Sequence, residues 1–151
     1  MGCRPDEQAE LEKERMRIGL SGLATKLLLV MVGGGAGALC RYGVSLAALR
    51  IFGTAFPWGT LIVNMMGCFM IGVLFALTDR WTALGPSVRI LLMTGFLGAL
   101  TTFSTFALET LASARSGNFL GAAANLAANN IGGLLLVLSG IGLVQLLFKG
   151  R

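Results

Sequence analysis

The chain has 151 residues, 55 % of them hydrophobic and only 13 % charged, with a mean hydropathy of +0.79. Soluble domains carry about 25 % charged residues, so this composition belongs to the membrane class. Histidine is absent, which excludes Ser-His-Asp and Cys-His nucleophilic sites and the usual histidine zinc and haem sites, and the net charge of +5 is dispersed rather than gathered into the basic stripe that nucleic acid requires.

Residues 1–26, MGCRPDEQAELEKERMRIGLSGLATK, form a charged N-terminal extension. Their charges alternate in sign, which predicts a solvated helix or a tail. They lack the cationic start, apolar centre and small-residue cleavage site of a signal peptide, so they read as a cytoplasmic extension, with Met16 as an alternative start. Residues 27–151 form the membrane domain. Its first apolar segment is 27–49, LLLVMVGGGAGALCRYGVSLAAL; the second is 59–78, GTLIVNMMGCFMIGVLFALT. The third is 88–113, VRILLMTGFLGALTTFSTFALETLAS, and the fourth 120–148, LGAAANLAANNIGGLLLVLSGIGLVQLLF. A helix needs about 20 residues to cross the hydrocarbon, so each segment predicts one transmembrane helix and the fold class is all-α integral membrane. The 22 glycines suit close helix packing in lipid. Cys3, Cys40 and Cys68 lack CxxC spacing, and the latter two read as small hydrophobes. Tyr42, Trp58 and Trp81 fall near predicted edges, where amphipathic rings prefer to sit. An even number of spans puts both termini on one side. That side carries Arg4, Lys13, Arg15, Arg17, Lys26, Arg80, Arg89, Lys149 and Arg151 against Arg41, Arg50 and Arg115, which predicts cytoplasmic termini.

Polar residues at membrane depth are costly and mark either interhelical glue or a pathway. Asn64 sits mid-span in the second segment, one turn after Thr60. Asn125, Asn129 and Asn130 fall in the fourth, where positions 125, 129, 132, 136 and 139 share a helical face. For both sets glue and pathway stay open. Arg41, near the end of the first segment, either snorkels to water or attracts anions from a vestibule. In the third segment Gly95 and Gly98 precede Thr101, Thr102, Ser104 and Thr105. Glycine and hydroxyl residues weaken a helix, which predicts a break near residues 98–103. Half-helix ends at such a break present N–H groups to anions and carbonyls to cations. Phe103 and Phe106 lie three apart, on one face of the resumed helix. They are packing filler, or rings whose positive edges touch an anion.

The blocks GGGAGALCRY, GTLIVNMMG and GFLGALTTFSTF, in this order on three successive segments, resemble the Fluc (CrcB-type) fluoride ion channels over residues 27–148, with the extension outside the resemblance. The resemblance implies a four-helix channel domain, an antiparallel dual-topology homodimer in the inner (cytoplasmic) membrane, and passive fluoride export that confers fluoride resistance. It assigns Asn64, Phe103, Phe106, Ser104 and Thr105 to the fluoride pathway, with Asn125 and Asn129 at the helix 4 positions where some relatives carry Tyr and Ser. It assigns Arg41 to the aqueous vestibule. It also implies a structural sodium ion (Na+) at the dimer centre, held by main-chain carbonyls of Gly98 and Thr101. Glu109 matches a family acid beyond the phenylalanines, while Ala99 and Ala107 stand where many relatives carry Gly and Ser. The charged extension biases insertion, which leaves open a heterodimer with an oppositely oriented paralogue.

The expected mechanism is electrodiffusion: amide and hydroxyl donors and ring edges replace the water of a small, strongly hydrated anion, without a full charge that would trap it. Three rivals differ in class. A proton-coupled exporter of organic cations would need Glu109 as a membrane carboxylate in a roomy pocket. A membrane enzyme without histidine has no paired carboxylates to support it. A structural subunit would use the polar residues as glue alone.

Overall fold

The computed structural model describes residues 5–80 and 85–149, with the backbone alone for 5–12, 14–18 and 80. The expected edge position of Trp81, and the side chains of Cys3, Arg4, Arg15, Arg17, Arg80 and Arg151, lie outside the described residues.

The four apolar segments become four spans: Gly19–Phe52, Trp58–Asp79, Pro86–Arg115 and Phe119–Leu147. All are helical, and each is long and apolar enough to cross a bilayer. The first is the C-terminal part of one helix, Pro5–Phe52, so the backbone of the extension runs into the membrane domain without a joint. That helix stops at Gly53, whose φ of +72° is left-handed and whose N–H bonds the Leu49 carbonyl at 3.0 Å. Only glycine takes this conformation without a Cβ penalty. In the following connector Trp58 packs against Phe52 and Phe56, with ring centroids 5.3 and 4.9 Å apart. The third and fourth spans join through Gly117 at φ +84° and Asn118, whose Oδ1 accepts the Gly121 N–H at 2.9 Å and caps the fourth span.

Glycine sets how the spans pair. The first lies along the third, and the second along the fourth. A Cβ on Gly33 or Gly37 would overlap the carbonyl oxygens of Leu91 and Phe96 respectively. One on Gly72 or Gly140 would overlap those of Val137 and Phe69. Backbone therefore meets backbone at both crossings, the contact that lipid favours because it adds van der Waals packing where hydrophobic drive is absent. The buried core is small, centred on Val63, Leu97 and Leu100. Most large apolar side chains, such as Leu28, Met31, Leu134 and Leu138, face outward, as hydrocarbon contact requires.

Among the described residues two stretches are π-helical, Ile90–Leu97 in the third span and Ala128–Gly132 in the fourth. The third span is interrupted after Gly98–Leu100 and resumes at Phe103–Arg115. Thr101 (φ −84°, ψ 154°) and Thr102 (φ −150°, ψ 114°) are extended. The predicted break is therefore present, and it rests on two β-branched residues, which tolerate extended backbone well. Gly98 keeps helical angles. The fourth-span stripe differs from the expected face. Asn125 is buried and Asn129 half-buried, but Ser139 is exposed and donates to its own helix at the Leu135 carbonyl, 2.7 Å away. The π turn at 128–132 adds a residue to the helical repeat and rotates everything beyond it, so a 3.6-residue period does not carry across.

Candidate functional site

The break is built by redirecting backbone donors. In an unbroken helix the Thr102 N–H would reach back to the Gly98 carbonyl. Here it donates to Asn64 Oδ1 on the second span, at 2.9 Å. The Thr105 N–H, which would otherwise serve the Thr101 carbonyl, donates to Thr102 Oγ1 at 3.3 Å. Thr102 is thus the N-cap of the resumed half-helix. Both diversions leave main-chain oxygens, of Gly98 and Thr101, without their usual helical donors. The Thr102 hydroxyl also lies 3.0 Å from Thr105 Oγ1 and 3.4 Å from Ser104 Oγ. Gly67 makes room for this turn, because a Cβ there would strike Thr101 Cγ2.

Asn64 carries the polar contacts onward. Its Nδ2 donates to Asn129 Oδ1 at 2.8 Å, with a longer 3.4 Å contact to the Thr102 carbonyl. Asn129 Nδ2 donates to Asn125 Oδ1 at 2.9 Å and to the Asn125 carbonyl at 3.0 Å. Asn125, fully buried, donates to Thr110 Oγ1 at 2.8 Å. Thr110 in turn donates to the Phe106 carbonyl at 2.8 Å. The asparagines therefore do act as links between spans. Asn130, which borders the same cavity as Asn64 and Asn129, donates to the Leu126 carbonyl of its own helix, at 2.8 Å.

The two phenylalanines are placed oppositely. Their rings are tilted at 59° with centroids 5.5 Å apart, yet Phe106 is 4 % exposed and Phe103 77 %. Both border a cavity of about 350 Å³, together with Asn64, Gly98, Thr101, Thr102 and Asn129. Ser104 and Thr105 are exposed beside Phe103. Asn125 and Arg41 line neither this cavity nor the second one; Arg41 is half-buried on the first span.

The second cavity, about 540 Å³, lies toward the connectors and is lined in part by Ser45 of the first span and by Trp58, Thr60, Glu109, Ser113 and Asn118. Thr60 donates to Glu109 Oε1 at 2.8 Å. Glu109 Oε2 is buried with no hydrogen-bond partner among the described residues. The described residues hold no cluster of three or more acidic or cysteine side chains able to bind a metal ion.

The structure brings the expected pathway residues Asn64, Phe103, Phe106 and Asn129 and the expected sodium-site residues Gly98 and Thr101 to one cavity. The sequence assigns no role of their own to Thr102 and Thr110. Thr102 carries a local signal, a hydroxyl residue just before a resumed helix with Thr105 three positions on. Thr110 carries none, because its partner is fifteen residues away on another span.

The family described as CrcB-like protein, Camphor Resistance (CrcB), matches residues 28–141. Three curated relatives are each named fluoride-specific ion channel FluC. The protein of Chloroflexus aurantiacus is 44 % identical over 117 residues, covering 78 % of this chain and 93 % of its own. That of Salinibacter ruber is 42 % identical over 125 residues, covering 83 % and 93 %. That of a Shewanella species (strain ANA-3) is 47 % identical over 103 residues, covering 68 % and 82 %.

Proposed function

The chain belongs to the CrcB-like family, and on that premise we propose that it is a fluoride-specific ion channel, not an enzyme, that lets fluoride leave the cell passively and so confers fluoride resistance. The observation that carries this is the 44 % identity to a relative of that name over 93 % of the relative's length. The broken third span, set against Asn64 and bordered by two phenylalanines, supports it physically.

The path runs along the resumed half-helix. Ser104 and Thr105 offer hydroxyl donors, and Phe103 and Phe106 offer ring edges, whose quadrupole is positive. The Asn64 and Asn129 amides border the same cavity. A dehydrated fluoride would meet donors that are individually weak and no fixed cation in the narrow part, which lets it leave as readily as it enters. Arg41, nearer the aqueous end of the first span, raises the local anion concentration before entry.

The working unit in this reading is an antiparallel homodimer in the inner membrane. The 77 % exposure of Phe103 and the open cavity beside it fit a path completed by a second copy. A heterodimer with an oppositely oriented paralogue satisfies the same geometry, and the charged extension favours one orientation per chain. The Gly98 and Thr101 carbonyls, released from their helical donors, fit a sodium ion at the dimer centre. Sodium bound there would tie the breaks of two subunits together.

Purified protein in liposomes, read with a fluoride-selective electrode, tests the function. Fluoride efflux far faster than chloride efflux is expected, and equal or undetectable flux of both would refute it. Glu109 in its large cavity keeps the organic-cation exporter as the competing outcome: proton-driven dye uptake without fluoride flux would favour that rival.

A further inference from the structure

The polar contacts of the site form a closed, one-way loop. It leaves the resumed half-helix at the Thr102 N–H and passes to Asn64 on the second span. It crosses to Asn129 and Asn125 on the fourth. It then returns through the Thr110 hydroxyl to the Phe106 carbonyl. Its direction is fixed at both ends, because a backbone N–H can only donate and a carbonyl can only accept. Asn64 must therefore turn its oxygen to Thr102 and its nitrogen to Asn129. Turning over the Asn129 amide would set nitrogen against nitrogen at Asn64 and oxygen against oxygen at Asn125. The loop encloses the backbone turn that carries Phe106, the less exposed of the two rings.

We propose that Thr110, with Asn125 behind it, is a positioning residue. Through the loop it holds the Asn64 amide in one orientation, and with it the helix break and the Phe106 ring, without touching the permeating anion. The proposal rests on the channel reading for its consequence in flux, but the loop is tested separately. Asn125 is fully buried, so a lost partner there is not replaced by bulk water, and a buried donor left unmet is costly.

The experiment compares Thr110→Val, Thr110→Ser and Thr110→Cys in liposomes. Valine has the shape of threonine without its hydroxyl, serine keeps the hydroxyl, and cysteine is a weak hydrogen-bonding group. Two quantities are read: fluoride efflux, and deuterium exchange at the Thr102 amide, eight positions from the substitution. Thr110→Val should lower efflux about tenfold and speed exchange at Thr102, while amides around Gly72 on the second span keep their rate. Thr110→Ser should restore both quantities, with Thr110→Cys between. Unchanged Thr102 exchange in Thr110→Val, or Thr110→Ser as impaired as Thr110→Val, overturns the proposal. If Thr110→Val cannot be recovered folded, the difference between Thr110→Ser and Thr110→Cys decides the same point. Wild-type protein that passes no fluoride refutes the channel reading alone, since the exchange result still decides the loop.

Discussion

The crossing of the first and third spans and the junction of the second, third and fourth spans are held by different means. At Gly33 and Gly37 backbone lies against backbone, and a single methyl group would overlap a carbonyl. At the junction, three asparagines and two threonines meet through directed hydrogen bonds of 2.8–2.9 Å. The first contact depends on the absence of side chains and is therefore sensitive to volume. The second depends on donors and acceptors and is sensitive to chemistry at constant volume. A membrane protein that must keep a helix broken needs a new acceptor for the backbone N–H that the break releases, and here the second kind of contact supplies it, as Asn64 Oδ1.

Substitutions can separate the two. Gly37→Leu should have the largest effect, since its Cβ meets the Phe96 carbonyl and overpacking costs about 1–3 kcal/mol or more. The expected outcome is loss of the monodisperse peak in detergent gel filtration. Asn64→Ala comes next: it removes no packing at the glycine crossing but leaves the Thr102 N–H and Asn129 Oδ1 unpaired, at about 1–3 kcal/mol each. The protein should stay folded while fluoride efflux falls more than tenfold; retained flux would contradict the role given to Asn64. Phe106→Ile should cut efflux and also lower the thermal midpoint, because the ring is buried. Phe103→Ile should cut efflux with little change in monomer stability, since exposed positions usually shift it by within about 0.5 kcal/mol. Equal stability losses in the two phenylalanine variants would contradict their opposite burial. The smallest effect belongs to Asn130→Ala, which removes a bond within one helix, and its efflux should stay within about twofold of wild type. A large loss there would mean that polarity alone, not connection between spans, matters.

The sequence announced the spans, because hydrocarbon imposes about 20 apolar residues on any crossing helix. It also placed the break, since glycines and hydroxyls weaken helices. What holds the break was not readable. The capture of the Thr102 N–H by Asn64 joins positions thirty-eight residues apart, and periodicity reports only which residues share a face of one helix. For the same reason glue and pathway were indistinguishable for Asn64 and Asn129: the same amide borders the cavity and ties two spans. The fourth-span face failed at Ser139 because the period assumed there is α-helical and the chain takes a π turn. The opposite fates of Phe103 and Phe106 follow from the fold around them, and three-residue spacing alone gave them one.

The unbroken helix Pro5–Phe52 has 48 residues, about 72 Å at 1.5 Å per residue. That is more than twice the hydrocarbon thickness of about 30 Å. Its N-terminal stretch, ahead of Gly19 where the first span begins, is an outrigger of about 20 Å directed along the axis of that span. A fluorophore fixed to it would report which way each chain entered the vesicle. A membrane-impermeant quencher that removes about half its signal would mark equal insertion in both directions, and one that removes nearly all or none would mark a single direction.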